Sequence, residues 1–380
     1  MIVTNTEHQE EAFMEEKDLD LNFDFSDLIY DLENRVPCIS SAALMDQEFI
    51  PAEFVVKGFL PKGLCVLGGA PKIGKSWMML DLCLHVAKGE PFLGMEVKQG
   101  TAWYLSLEDT NDRIKQRLAC ITADALDNFQ ITTREHEPGT MADGLPNTID
   151  KFMRKFPDTK LIVIDTMQTA KGTSKDPQYS GDYADTGAFK TIADKYKVAM
   201  VLVTHLRKAA DGDTFNEITG STGITGAADT LMTLKKSARM ADAAKLSCTG
   251  RDIAQRELEL RFDKTNFVWS KISDSADLET PSLPPEMVAF VDFMKMLSSY
   301  EGGNTALAES FAQHSGIVLT PKVLKQKMNR WCCVLADAGI RFRSFDTNHG
   351  KMVFVSYTPP TSHTSQISQD LGGVSFAKCA

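Results

Sequence analysis

Gly69-Ala70-Pro71-Lys72-Ile73-Gly74-Lys75-Ser76 places glycine, glycine, lysine and serine at the spacing G-x-x-x-x-G-K-[ST]. Each fixed residue type has a chemical reason to be there. Gly74 lets the backbone curl close to a polyphosphate, and Lys75 supplies the cation that offsets the β- and γ-phosphate charge. The Ser76 hydroxyl is a hard oxygen ligand for Mg²⁺. Backbone N–H groups of Gly69, Ala70, Pro71 (through its neighbours), Lys72, Ile73 and Gly74, with Trp77 just behind, complete a phosphate cradle. ATP with Mg²⁺ is the expected ligand; guanine stays open, because such a loop reads no base.

Three more polar side chains end apolar runs and so belong at the same edge of a sheet. Leu161-Ile162-Val163-Ile164 runs into Asp165, placed to order Mg²⁺ together with Ser76. Ala102–Leu107 runs into Glu108-Asp109, where a carboxylate could take a proton from an attacking water. Glu108 is the first candidate and Asp109 the second, the competing role being N-cap of a helix that begins near Asn111. Val201-Leu202-Val203-Thr204 runs into His205, a candidate sensor of the γ-phosphate. A histidine in such a place more often has a purely structural role.

These residues need a parallel sheet to hold them. From Phe54 to about Trp269 short apolar runs alternate with helical ones, the pattern of an α/β fold with a parallel central sheet. Strands are expected at Gly63–Gly68, Thr101–Leu107, Leu161–Asp165, Val198–Thr204 and Thr230–Lys235, and a helix at Ser76–Ala87. Four segments are expected: 1–50, acidic and loosely ordered; 51–278, the ATPase core; 284–357, a small separate domain; and 358–380, a Ser/Thr-rich tail. Asp277–Pro285, with three prolines, reads as the linker.

The chain of 380 residues has 43% hydrophobic and 24% charged residues, as expected of a globular protein. No apolar run is long enough for a membrane span, and the start lacks signal-peptide character. Eight cysteines without a C-x-x-C pair suggest neither zinc nor redox chemistry, and a reducing cytoplasm fits them. The net charge of −10 is uneven: residues 1–35 hold eleven acids against Lys17 and Arg35, or −9, leaving −1 for the rest. Global acidity therefore does not exclude nucleic acid as a partner. The acidic segment reads as a solvated leader or, with Phe13, Phe23, Phe25, Leu28, Ile29 and Tyr30, as a docking peptide for a basic surface.

Taken in order, Gly69–Ser76, Leu105–Asp109, Leu161–Asp165, Thr204-His205 and Gly220-Ser221-Thr222-Gly223 resemble RepA-type hexameric replicative helicases of plasmids and phages, within the wider RecA/DnaB-like ATPase group. The likeness spans roughly residues 51–270. It implies a RecA-like core, Glu108 as catalytic base, His205 as γ-phosphate sensor, and ATP bound between subunits of a hexameric ring. It also implies an arginine donated by the neighbouring subunit. The RepA-type position for that arginine holds Asp229 here, and Arg251, after Leu246–Gly250, resembles the DnaB-like position instead. Single-stranded DNA would meet the polar stretches carrying Lys171, Lys175, Arg207 and Lys208.

Downstream, helices are expected at Pro284–Leu297, Thr305–His314 and Pro321–Ala338. A hairpin of Ile340–Phe345 and Lys351–Tyr357 follows, together a winged helix-turn-helix. Residues 322–351 carry seven basic residues against Asp337 and Asp346, a local +5. Lys325, Arg330, Arg341 and Arg343 are the candidate duplex-DNA contacts, with docking of a primase or initiator as the other reading. Two further classes remain open: a regulatory or recombination ATPase that is not a helicase, and a nucleotide-gated adaptor for replication proteins.

Overall fold

The computed structural model describes residues 38–171, 180–206, 214–218, 222–236, 241–278, 283–348 and 350–359, with side chains for all but 180–185, 222, 223 and 278. The chain divides into two compact units. One holds residues 50–288, and the other joins the stretch before residue 50 to the residues from 289 onward.

In the first unit a short ribbon of β1 (Phe54–Val56) and β2 (Leu60–Pro61) leads into the sheet. The sheet strands are β3 (Gly63–Gly69), β4 (Thr101–Ser106), β5 (Phe129–Thr133), β6 (Thr159–Asp165), β7 (Ala199–Thr204) and β8 (Thr230–Lys235). Then come β9 (Ala243–Gly250), β10 (Arg256–Asp263) and β11 (Val268–Asp274). Their spatial order is β11-β10-β9-β8-β3-β7-β6-β4-β5. Strands β8 through β5 pair in parallel, and β9 to β11 are added antiparallel at one flank. This is the RecA-like α/β arrangement expected from the sequence, with the five anticipated strands in place. The antiparallel flank and the edge strand β5 were not anticipated: their polar alternation is much weaker evidence than a continuous apolar run.

Side-chain alternation explains why the parallel strands read as unbroken apolar runs. Leu64 and Val66 join Trp103, Leu105, Ile162, Ile164, Met200 and Leu202 in one core layer. Cys65 and Leu67 join Tyr104, Leu161, Val163, Val201 and helix residues Met78, Met79 and Leu82 in the other. Each such fully buried side chain contributes about 1.5–3 kcal/mol, so the sheet is fixed by packing on both faces. The helix Lys75–Lys88 covers one face; helices Leu145–Lys155 and Ser180–Tyr196 supply Ile149, Met153, Phe189 and Ala193 to the other.

The second unit contains helices Asn304–Ser315, Pro321–Arg330 and Cys332–Asp337, and most of Pro285–Leu297. A three-stranded antiparallel sheet, ordered β12 (Ser299–Gly303), β14 (Gly350–Tyr357), β13 (Ile340–Thr347), completes it. Phe290, Phe293 and Phe311 meet edge to face or tilted at 5.6–6.2 Å and centre its core. Thr320 caps its helix by accepting from the Val323 N–H at 3.3 Å, and Gly339, at φ 89°, ends the helical run. The helix expected over Pro321–Ala338 is two pieces, because Trp331 leaves helical geometry at φ −105°, ψ 17°. Strand β12 was not expected either. Its Gly302-Gly303 end is a poor strand former, and pairing with the free side of β14 overrides that propensity.

Candidate active site

The phosphate-loop residues occupy the turn between β3 and the helix Lys75–Lys88. Gly74 sits at φ 105°, a conformation that side chains disfavour, and there it turns the chain into the helix. Gly69 is needed for space: a Cβ there would lie 2.8 Å from Ile73 Cδ1 and 3.0 Å from the Leu234 carbonyl. Lys75 is buried, and its Nζ donates to the Gly69 carbonyl at 2.6 Å and the Ala70 carbonyl at 3.0 Å. Burial lowers its pKa to about 8, against the pull of the Asp165 and Glu108 carboxylates. The ammonium is thus held at the mouth of the loop by carbonyl groups that a phosphate would replace.

Strand order then decides which groups surround it. β7, β6 and β4 follow β3 in sequence across the sheet, all parallel, so their C-terminal ends share one edge with the loop. From β6, the buried Asp165 Oδ2 accepts from Ser76 Oγ at 2.6 Å and from the Tyr104 hydroxyl at 2.7 Å. Burial raises the Asp165 pKa, while those two hydrogen bonds and Lys75 oppose the rise. From β4, Glu108 lies exposed beyond the strand, its Oε1 accepting from Thr166 Oγ1 at 2.8 Å and Thr169 Oγ1 at 3.1 Å. From β7, His205 Nδ1 stands 3.5 Å from Lys75 Nζ.

Asp109 has a different employment. Its carboxylate accepts from Arg113 Nη1 at 2.9 Å, Arg117 Nη1 at 2.7 Å and Ser106 Oγ at 3.1 Å. Burial would raise its pKa, but the two guanidiniums and the serine hold it below the usual carboxylate range. It is not the N-cap, because Thr110 accepts from the Arg113 N–H in that role. An aspartate enclosed by two arginines makes a poor base, which leaves Glu108 as the available carboxylate.

The donor set suits Mg²⁺. A serine hydroxyl and one carboxylate are hard oxygen ligands, and Mg²⁺ bound with nucleotide phosphates needs only one or two protein ligands beyond water. Among the described residues no group of three or more His, Cys, Asp or Glu could hold an ion alone, consistent with an ion that arrives with its nucleotide.

The antiparallel flank adds residues that sequence reasoning missed. Trp269 of β11 donates its indole N–H to the Gly74 carbonyl at 3.2 Å, and a Cβ on Gly74 would meet that ring at 3.0 Å. Trp77 stacks on Phe267 with centroids 4.7 Å apart, and the Arg117 guanidinium lies 5.8 Å from the Trp77 ring. Lys236 Nζ lies 5.1 Å from the Trp269 ring. Trp77 was grouped with the loop by adjacency, but nothing in the local pattern links Trp269 to a glycine 195 residues away. The hydroxyls of Tyr104, Thr166 and Thr169 were equally hidden inside apolar or turn segments.

Some candidates are not brought to this edge. Arg251 follows β9, which runs antiparallel, so it lies at the opposite edge of the sheet near the start of β8. There Arg251 Nη1 donates to Asp229 Oδ1 at 3.3 Å and Nη2 to the Gly226 carbonyl at 3.4 Å. Asp229 also accepts the Leu64 N–H at 2.9 Å and pairs with Lys190 at 2.8 Å. Lys171 ends the short helix Met167–Lys171 that follows β6. Lys175, Arg207, Lys208, Gly220 and Ser221 lie outside the described residues. Lys325, Arg330, Arg341 and Arg343 belong to the second unit. Lys325 pairs with Asp46 at 2.8 Å, Arg330 is exposed, Arg341 has one buried Nη1, and the Arg343 guanidinium lies 5.5 Å from the Phe345 ring.

Residues 33–211 match a protein-family model described as an AAA domain. No curated protein matches the chain. Among solved structures the chain is similar to an isolated ATPase domain, at 12% identity and TM-score 0.48, over 66% of this chain and 100% of that one. It is similar also to a DnaB-like replicative helicase whose structure was described with its interactions with primase. That likeness has 12% identity and TM-score 0.48 over 67% of this chain and 68% of that one.

Proposed function

Starting from a chain that carries an AAA domain over residues 33–211 and is a RecA/DnaB-like ATPase, we propose that it is a ring-forming DNA helicase of a plasmid, phage or mobile element. Hydrolysis of ATP would drive it along single-stranded DNA as a hexamer. One observation supports this most: Lys75, Ser76, Asp165, Glu108 and His205 meet at a single sheet edge, carried there by four adjacent parallel strands. Lys75 and the loop N–H groups bind the β- and γ-phosphates. Ser76 and Asp165 would hold Mg²⁺, which when bound draws negative charge from the phosphate oxygens. Glu108, exposed and steadied by two threonine hydroxyls, takes the proton of the attacking water. His205, against Lys75, is placed to respond to the presence of a third phosphate. No helix among the described residues is long and apolar enough to cross a membrane.

The experiment is ATP hydrolysis by the purified chain with and without single-stranded DNA, with Lys75→Ala as blank. Strong stimulation that vanishes in the variant supports the motor. Hydrolysis indifferent to DNA turns the reading to a regulatory DNA-binding ATPase. The Asp229 hold on Arg251 favours that second reading, because a finger for a neighbouring subunit would have to leave Asp229 first.

A further inference from the structure

The strongest feature outside the ATPase edge is a carboxylate from before the ATPase unit that grips both halves of the basic module. Helix Ser41–Asp46, opened by Ser40 accepting from the Ala43 N–H at 3.1 Å, belongs to the second unit. Its last residue, Asp46, accepts from Lys325 Nζ at 2.8 Å and pairs through its other oxygen with Lys351. Lys325 lies on helix Pro321–Arg330 and Lys351 on strand β14, so one side chain bridges the helix and the hairpin. Beside it a groove of about 460 Å³ is lined by Met45, Lys322, Lys325, Gln326, Asn329 and Arg330.

The helix is not held there by apolar packing. None of its six residues is buried, and Leu44 and Met45 stay 55% and 54% exposed. Charge attraction is what places it, and more charge of the same sign lies directly upstream. The residues before Cys38 include the eleven acids and two bases of 1–35, a balance of −9, against +5 over 322–351. The chain is already tethered at Asp46 on that basic face, so the upstream acids sit at high effective concentration next to it.

We propose that residues 1–37 are an intramolecular polyanion that lies on the basic face of helix Pro321–Arg330 and the β13–β14 hairpin. There they compete with the phosphate backbone of duplex DNA. The competition, but not the docking, rests on the DNA-binding reading of this module. Docking by charge without burial is reversible, so DNA at sufficient concentration, or salt, displaces the leader.

Two measurements on the full chain test this. Zero-length carbodiimide coupling joins a carboxylate to a lysine amine with loss of water, and the Asp46–Lys325 link is its internal control. Links from carboxylates of 1–37 to Lys322, Lys325, Lys327 or Lys351, lost in high salt, are expected. Links joining ¹⁵N-labelled to unlabelled chains in a mixture would overturn the intramolecular assignment. Fluorescence anisotropy with a labelled duplex then compares the natural chain with one whose eleven leader acids are changed to amides. The amide chain should bind about tenfold tighter at low salt, with the gap closing as salt rises. Absence of leader links together with equal affinities overturns the proposal. Leader links with no duplex binding by either chain uphold the docking and overturn the DNA reading of the module.

Discussion

The two halves of the ATPase sheet serve the same loop in opposite ways. In the parallel half, β3, β7, β6 and β4 deliver Lys75, His205, Asp165 and Glu108 from their ends, each as the residue that follows an apolar run. In the antiparallel flank, β10 alternates buried Arg256, Leu258 and Leu260 with exposed Glu257, Glu259 and Arg261, and no strand ends at the loop with a reactive group. It contributes instead from a strand interior, through Trp269 pressed against Gly74. The parallel half supplies chemistry and the flank supplies shape. Substitutions in the two halves should therefore move different kinetic quantities.

The largest effect should come from the parallel half. Glu108→Gln keeps size and the threonine hydrogen bonds but removes the base, so kcat should fall by about 10²–10⁴-fold. ATP affinity should change little, since Glu108 stands beyond the phosphate cradle. Single-turnover hydrolysis beside equilibrium ATP binding checks this. Equal losses in both would mean that Glu108 shapes the pocket and another group takes the proton.

The pH dependence of binding is a second effect from the same half. Lys75 has its pKa lowered to about 8 by burial, so its cation is present below that pH and lost above it. Between pH 8 and pH 9 the charged fraction drops from a half to about a tenth, and ATP affinity should fall about fivefold. Affinity should not fall on the acid side for this reason. Calorimetry on the Glu108→Gln chain, where turnover does not interfere, measures it. Lys75→Arg should flatten the profile, because a guanidinium keeps its charge.

The contrast between the halves also explains what could be read from the sequence. The loop, Asp165, Glu108 and His205 were legible because parallel strands buried on both faces are continuous apolar runs, and the residue that ends each run must emerge at the ligand edge. Strands β9 to β11 were not legible, because alternating Arg256–Asp263 fits an exposed surface as well as a strand. Trp269 was hidden for a different reason: its partner is a backbone carbonyl distant in sequence, and only the folded sheet brings them together. Asp109 could pass for a base or a cap until Arg113 and Arg117 closed on it. The two-piece helix around Trp331 and the Gly-rich β12 show the same limit in the second unit, where pairing and packing outweigh propensity.

A smaller effect is expected from the flank. Trp269→Phe keeps an aromatic ring against Gly74 but removes the hydrogen bond to its carbonyl, worth about 0.5–1.5 kcal/mol. KM for ATP should rise a few-fold with kcat nearly unchanged, since the loop loosens while Glu108 and Asp165 stay in place. A fall in kcat with KM constant would place Trp269 in the chemical step and erase the distinction between the halves. Intrinsic fluorescence of the natural chain offers an independent view, because nucleotide entering beside Gly74 should perturb the indole.

Arg251 gives the smallest effect and the sharpest test of where the halves end. Its guanidinium is largely exposed, while Asp229 is nearly buried and already receives the Leu64 N–H and Lys190. Removing the arginine therefore leaves no buried charge unpaired, and Arg251→Ala should cost under about 1 kcal/mol of stability. ATPase activity should stay within about twofold of the natural chain if Asp229 is its only working partner, against the 10³-fold or larger loss that follows removal of a trans-acting arginine. Asp229→Ala is the informative partner variant. It strips the acceptor from Leu64 at the start of β3 and from Lys190, so thermal stability should drop well beyond the arginine variant. If instead Arg251→Ala abolishes hydrolysis at unchanged melting temperature, the arginine works on a neighbouring subunit, and the flank supplies chemistry after all.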